Sequence, residues 1–361
     1  MSFPAADYEF MARALQLAAL GLNTTTPNPR VGCVLVKDGH VVGEGWHEKA
    51  GDPHAEAYAL QRAGAAARGA TAYVTLEPCA HFGRTPPCAD ALVAGGVTRV
   101  VVAMEDPNPQ VAGEGMAKLR AAGIDAVVGL MAAEATELNI GFVSRMTRGR
   151  PWLRLKVAAS LDGKTALDNG KSQWITGAEA RRHAHAWRAR SCAILTGIGT
   201  VREDDPSLTV REVPCTRQPL RVVVDNRLDI PPSAKVLAGG ALIFTSSGDA
   251  AKAGLLRQGG ASVVALPDGA GKVDLADVLA ELGRWGINEV LAESGARLNG
   301  ALLAAGLVDE LLIYQAPIIV GDKARGMFDL AQLTDLADAR RLRIVERQQV
   351  GADSFMRARW A

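Results

Sequence analysis

Aromatic residues make up only 5% of this 361-residue chain, so its cores must be packed from Ala, Val, Leu and Ile. Cysteine is scarce as well. The 5 cysteines, Cys33, Cys79, Cys88, Cys192 and Cys215, are an odd, widely spaced set. That argues against a disulfide framework and leaves free thiols or metal ligands. No apolar run approaches the roughly 20 residues that span a bilayer. Met1 to Phe10 carries acids and lacks the basic-then-apolar pattern of a signal peptide, so a cytoplasmic protein with no membrane partner is expected. Charge of one sign is missing too: 40 basic against 39 acidic residues leave a net +1. Such a balance gives no overall pull toward nucleic acid or a lipid surface.

What is present is the composition of a soluble globular protein, 48% hydrophobic and 22% charged, in a chain too long for one ordinary core. Residues 7–20 have apolar positions at helical spacing. Residues 31–46 read as two strands around an Asp38-Gly39 hairpin turn. Asp52 is a suitable N-cap and Pro53 suits the first helical position, which places His54 and Glu56 in a first helical turn. A strand at 71–76, a helix at 88–96 and a strand at 97–104 follow. The segment 146–151, basic and carrying Gly and Pro, reads as a boundary between domains at 1–147 and 148–361. The second half alternates again, with strands at 152–159, 192–196, 220–225, 241–245, 261–266, 288–292 and 310–316. Helices read at 178–190, 274–284 and 296–305. Two α/β domains are expected.

The strongest chemical signal is His54, Glu56, Cys79 and Cys88. One imidazole and two thiolates suit zinc, and three protein ligands leave a catalytic zinc an open position for water. The metal brings the pKa of that water toward neutrality. A carboxylate must then move protons between the water and a leaving amine, and Glu56 is placed to do so. Cys88, opening a helix, has its thiolate favoured by the helix N-terminus. The pattern His-x-Glu followed by Pro-Cys belongs to zinc deaminases. Here the spacing departs from it, because AHFGRTPP separates the two cysteines. A structural zinc would ordinarily have a fourth protein ligand.

In the second half, Thr196 to Thr200 and Glu293 to Ala296 are Gly-bearing turns after strands. Neither is the dinucleotide fingerprint, since Arg202 stands where its third glycine would be. His183 and His185 fall on different helix faces and read as surface or packing residues. Trp174 alone reads as a core residue, and Cys33, Cys192 and Cys215 as buried or incidental thiols.

TLEPCAHFGRTPPC (75–88) closely resembles the bacterial bifunctional riboflavin-biosynthesis proteins, which join a diaminohydroxyphosphoribosylaminopyrimidine deaminase to a 5-amino-6-(5-phosphoribosylamino)uracil reductase. The resemblance extends through TPNPRVGCVLVKDG (26–39), AGDPHAE (50–56), MEDPNPQVAGEG (104–115), LKVAASLDGKTA (155–166), SQWITG (172–177) and EDDPSLTVR (203–211). It implies a cytidine-deaminase-like layered domain followed by a dihydrofolate-reductase-like α/β domain, with zinc and NADPH as cofactors. It places Asn28, His47, His81 and Arg84 on the deaminase substrate. It matches Ala158, Trp174, Thr200, Asp204, Asn226 and the stretch from Gly295 to the NADPH site. Ser172, Arg188, Leu208, Arg211 and Glu293 match the reductase substrate site. The helix after Gly295 is then expected to take a cofactor phosphate, and Arg188 and Arg211 to clamp a ribose phosphate. Lys156 and Glu293 are expected to orient or polarise the pyrimidine. A homo-oligomer acting on a small phosphoribosyl pyrimidine is expected. Two rivals are a nucleoside or tRNA deaminase with a non-catalytic C-terminal domain, and a pyrimidine-phosphate binding protein that has lost activity.

Overall fold

Asp38 and Gly39 both adopt positive φ, 51° and 78°, as a two-residue turn between right-twisted strands requires. They join β1 (Gly32–Lys37) to β2 (His40–Trp46). The computed structural model describes residues 3–82, 86–109 and 111–361, and the chain divides into two compact units, residues 1–149 and 150–361.

In the first unit, β3 (Thr71–Val74), β4 (Arg99–Val102) and β5 (Asp125–Val128) complete a sheet of order β2-β1-β3-β4-β5. β1 runs antiparallel to β2 and β3, while β3, β4 and β5 are parallel. Side chains alternate across a strand. Cys33, Leu35, Val74 and Val102 therefore pack with Ala55, Ala59, Ala89, Leu92 and Met116 of helices Ala55–Ala63, Cys88–Ala94 and Glu114–Ala121. Val34, Val36, Tyr73 and Val101 face the opposite layer, where Met11, Ala14 and Leu17 of helix Ala5–Leu20 lie beside Ala135 of helix Ala132–Leu138. Glycine sets the spacing of the first layer: a Cβ on Gly45 would stand 2.3 Å from the Ala55 carbonyl oxygen, and one on Gly43 2.3 Å from that of Ala59.

One expectation needs correction. Helix Ala55–Ala63 begins after His54, which is extended (φ −77°, ψ 165°) and occupies the N-cap position. Asp52 and Pro53 precede the helix, and the chain enters it two residues later than their capping chemistry suggests. The division between the units, at 149/150, falls inside the stretch 146–151; residues 146–148 end helix Ile140–Arg148, which Gly149 terminates in the left-handed conformation at φ 69°.

The second unit contains β6 (Trp152–Ser160), β7 (Lys164–Ala166), β8 (Ala193–Gly197), β9 (Leu220–Val224), β10 (Leu242–Thr245), β11 (Ser262–Ala265), β12 (Glu289–Ala292), β13 (Glu310–Ala316), β14 (Arg325–Gly326), β15 (Leu342–Val350) and β16 (Asp353–Trp360). One sheet has the order β11-β10-β9-β8-β12-β6-β13-β16-β15, and β7 pairs with β14 separately. From β11 to β13 the strands are parallel; β16 and β15 are antiparallel additions. Helices Ala178–Arg190 and Ala250–Gln258 cover one face through Ala180, Ala184, Ala253 and Leu256. Helices Leu275–Arg284 and Ala296–Ala304 cover the other through Val278, Leu279, Leu282, Leu302 and Leu303. The chain winds outward from β8 to β11, then returns to lay β12 between β8 and β6. The carboxyl ends of β8 and β12 thus flank a switch point, where open parallel sheets bind their ligands.

Candidate active sites

The first site forms where helix Ala55–Ala63 meets helix Cys88–Ala94 below the end of β3. His54 Nδ1 lies 3.6 Å from Cys79 Sγ and 3.3 Å from Cys88 Sγ. One ligand atom from each of the three residues falls within 4.8 Å of the others. Two backbone contacts fix Cys79: its carbonyl accepts from the Ala89 N–H at 3.1 Å, and its sulfur from the Cys88 N–H at 3.3 Å. A hydrogen bond from Cys88 holds Cys79 well below its ordinary value, at about 4, while that contact and burial push Cys88 up.

Glu56 is buried, and its Oε2 has no hydrogen-bond partner. Burial raises its carboxyl to about 7. A buried, unpartnered carboxylate oxygen is costly, and it is what a proton carrier facing a reacting water presents. The set of one imidazole and two thiols fits a zinc ion with an open coordination position.

His47 is buried beside this cluster, its ring 5.4 Å from that of His54. Its Nδ1 lies 3.1 Å from the Pro53 carbonyl oxygen, which only a donor suits, so Nε2 accepts from Asn28 Nδ2 at 3.0 Å. Burial lowers the His47 pKa and favours the neutral ring. Asn28 and His47 are therefore brought together. His81 lies on the exposed loop between the two cysteines, and Arg84 falls outside the described residues.

The second site centres on Glu293, just past the carboxyl end of β12. Its carboxylate takes the fork of Arg188 at 2.5 and 2.9 Å, and Lys156 Nζ stands 3.7 Å away. Burial alone would raise Glu293, but Arg188 and Lys156 outweigh it and hold the carboxyl at about 2. Burial lowers the pKa of Lys156. Arg188 also donates to the Thr209 carbonyl at 3.1 Å. Its forked face is engaged within the protein, where it braces Glu293. Arg211 is exposed, and its backbone N–H donates to His185 Nδ1 at 3.1 Å. Leu208 is buried with a positive φ of 50°.

The two Gly-bearing turns do meet: Thr200 Oγ1 would be the nearest atom, at 3.9 Å, to a Cβ on Gly295. Gly295 is exposed at the N-terminus of helix Ala296–Ala304, and an added Cβ on Gly199 would meet nothing. The backbone there is open to a phosphate, as a dinucleotide requires. Ser172 donates to Asp204 at 3.0 Å. Trp174 is not a core residue: it is 69% exposed, with the Arg181 guanidinium 4.5 Å from its ring centre. Ala158 is half-buried on β6 opposite Tyr314 of β13. Asn226 lies past the end of β9, its side-chain oxygen accepting from the Val273 N–H at 3.0 Å. His183 and His185 are packing residues, His183 bonded to the Tyr314 hydroxyl at 2.8 Å.

Comparison with known proteins agrees with this division. Residues 4–104 match the cytidine and deoxycytidylate deaminase zinc-binding region, and residues 151–356 match the RibD C-terminal domain. The chain is 49% identical over 362 residues to the riboflavin biosynthesis protein RibD of Escherichia coli, covering 96% of this chain and 97% of that one. The chain belongs to the RibD family. It superposes on Acinetobacter baumannii RibD with a TM-score of 0.93 at 44% identity, covering 99% of each chain. It also superposes on a Thermotoga maritima diaminohydroxyphosphoribosylaminopyrimidine deaminase/5-amino-6-(5-phosphoribosylamino)uracil reductase, with a TM-score of 0.88 at 33% identity over 99% of each. As a RibD-family member it is a bifunctional deaminase and reductase whose cofactors are zinc and NADPH. No helix among the described residues is long and apolar enough to cross a membrane.

Glu77 was not found by reading the sequence. It is buried, and it bonds to backbone groups 29 to 39 residues away. An acid before Pro78-Cys79 is its only local signal, and that does not distinguish it from a surface glutamate.

Proposed function

We propose that residues 1–147 hydrolyse an exocyclic amine of 2,5-diamino-6-(5-phosphoribosylamino)pyrimidin-4-one, releasing ammonia. Residues 148–361 would then reduce the ribosyl group of 5-amino-6-(5-phosphoribosylamino)uracil to ribityl. The observation that carries the first step is the buried Glu56 carboxylate, its Oε2 without a hydrogen-bond partner, beside the convergent His54, Cys79 and Cys88. Zinc held by those three side chains makes the attacking water more acidic. Glu56 takes a proton from that water and returns it to the departing amine. Asn28 and His47 offer hydrogen bonds to the ring, and His81 and Arg84 reach for the phosphate.

NADPH bound in the second unit would supply a hydride to the ribose C1′ as the C1′–O4′ ring bond opens and O4′ takes up a proton, leaving the open ribityl chain. Gly295 and Thr200 receive a cofactor phosphate, and Ala158, Trp174, Asp204 and Asn226 line its path. Lys156 and Glu293 orient the pyrimidine, Arg188 holds Glu293 in place, and Arg211, with Ser172 and Leu208, meets the rest of the substrate. The protein acts in the cytoplasm as a homo-oligomer. The edge strand β15 supports the oligomer, with Leu342 and Ile344 exposed at 39% and 52%, because an open edge bearing apolar side chains invites pairing.

NADPH oxidation separates the two steps. Wild type given the diaminopyrimidinone should consume NADPH, and Glu56→Ala should do so only when given the deaminated intermediate. Absence of oxidation by wild type supplied with that intermediate would remove the reductase assignment.

A further inference from the structure

Helix Glu114–Ala121 starts badly on its own account. Its N-cap is Gly113, at φ 83° and with no side chain to accept the first N–H groups. The missing acceptor comes from another element. The Glu77 carboxylate, 5% exposed, accepts from the backbone N–H groups of Asp106 (3.1 Å), Gly113 (3.0 Å), Gly115 (2.8 Å) and Met116 (3.2 Å). The first two bonds go to Oε2 and the last two to Oε1, so both oxygens are engaged. The Glu77 N–H itself donates to the Met104 carbonyl at 3.0 Å. The helix is also pressed against the next residue of the same segment: a Cβ on Gly115 would lie 2.0 Å from the Pro78 carbonyl oxygen.

We propose that Glu77 is a positioning residue for the deaminase, one that fixes where Cys79 stands relative to His54 and Cys88 by binding the segment that carries it to the 106–116 backbone. The inference rests on the zinc-deaminase reading above. A buried carboxylate receiving backbone N–H groups at both oxygens is held in position and orientation. Cys79 is two residues further on, separated by a proline whose φ is fixed. Partners beyond the metal ligands commonly change metal affinity or activity by about 10- to 100-fold when removed.

The test is Glu77→Gln in the full-length protein. The substitution keeps size and shape but turns one acceptor oxygen into an NH2 group facing N–H donors. Zinc affinity would be measured by competition with a chromophoric chelator. The sulfur-to-metal absorption of the cobalt-substituted protein would be recorded well below the melting temperature. NADPH oxidation on the deaminated intermediate serves as an internal check that the second unit is intact. The expected result is about a tenfold or greater loss of zinc affinity, an altered cobalt spectrum, and unchanged reductase turnover. A variant that melts earlier yet binds zinc with wild-type affinity and gives the wild-type cobalt spectrum would overturn the proposal and leave Glu77 a helix cap only. Failure of the wild-type protein to bind zinc would instead remove the deaminase reading itself.

Discussion

His54 and Glu56 are separated by one residue and are assigned different work, ligand and proton carrier. Glu56→Ala should keep its zinc, read by metal analysis, and lose about 10²- to 10⁴-fold in deamination rate. Cys88→Ala should lose the zinc with the activity, and full metal content there would exclude Cys88 from the site. His185 offers a test in the second unit. It is buried, and the first cause of its low pKa, about 4, is that burial, reinforced by Arg188 and Arg211 and opposed by Glu212 and Glu293. Above its ordinary value of 6.5 the ring is neutral folded and unfolded. As pH falls from 6.5 toward 4, only the unfolded chain takes up the proton, so stability declines and then levels off. His185→Gln, whose amide oxygen can still accept from Arg211, should show a smaller drop in urea midpoint between pH 6.5 and 5 than wild type. The grouping of His54, Cys79 and Cys88 with Glu56 was legible in the sequence because zinc chemistry restricts residue type. The Arg188–Glu293 pairing was not, because its partners are 105 residues apart and nothing local to either shows which charges meet.

At the scale of elements, the position of Glu56 depends on how closely its helix approaches β2. Gly45→Ala would push a methyl into the Ala55 carbonyl, 2.3 Å away, and the Ala59 nitrogen, 2.7 Å away. Backbone atoms cannot swing aside as a flexible side chain does. The substitution should cost about 1–3 kcal/mol in the unfolding of the first unit and reduce deamination, with reduction of the supplied intermediate unaffected. Helix 178–190 and the parallel strands could be read from periodicity and from apolar runs, because both report burial directly. Helix Glu114–Ala121 went unread because its cap comes from Glu77 on another element. β15 went unread because most of it is exposed, so its residues (LRIVERQQV) carry no alternating pattern. The start of helix Ala55–Ala63 was misplaced because local capping preference yields to the geometry that turns the His54 ring toward two sulfurs.

The whole chain carries its two chemistries in separately packed units, each with its own sheet and its own cores. The His54, Cys79 and Cys88 cluster lies in the first unit, and the Glu293, Lys156 and Gly295 groups lie in the second. Stripping zinc with a chelator should therefore abolish ammonia release while NADPH oxidation on the deaminated intermediate continues at its former rate. Simultaneous loss of both would mean that the metal supports more than the unit that holds it. The division into α/β halves was legible from alternation along the sequence. The stretch 146–151, basic and carrying Gly and Pro, contains the point at 149/150 where the two units divide.

The borrowed cap of helix Glu114–Ala121 has a consequence in time as well as in space. The helix lacks a side-chain cap of its own, so its first turn is completed only when the segment bearing Glu77, just past the end of β3, is docked. The amide hydrogens of Gly115 and Met116 are thereby placed in the same cooperative opening unit as the Pro78-Cys79 segment. Their exchange with solvent is a clock on the metal site, slowing when the site is held together and quickening when it loosens, with no need to observe the metal at all.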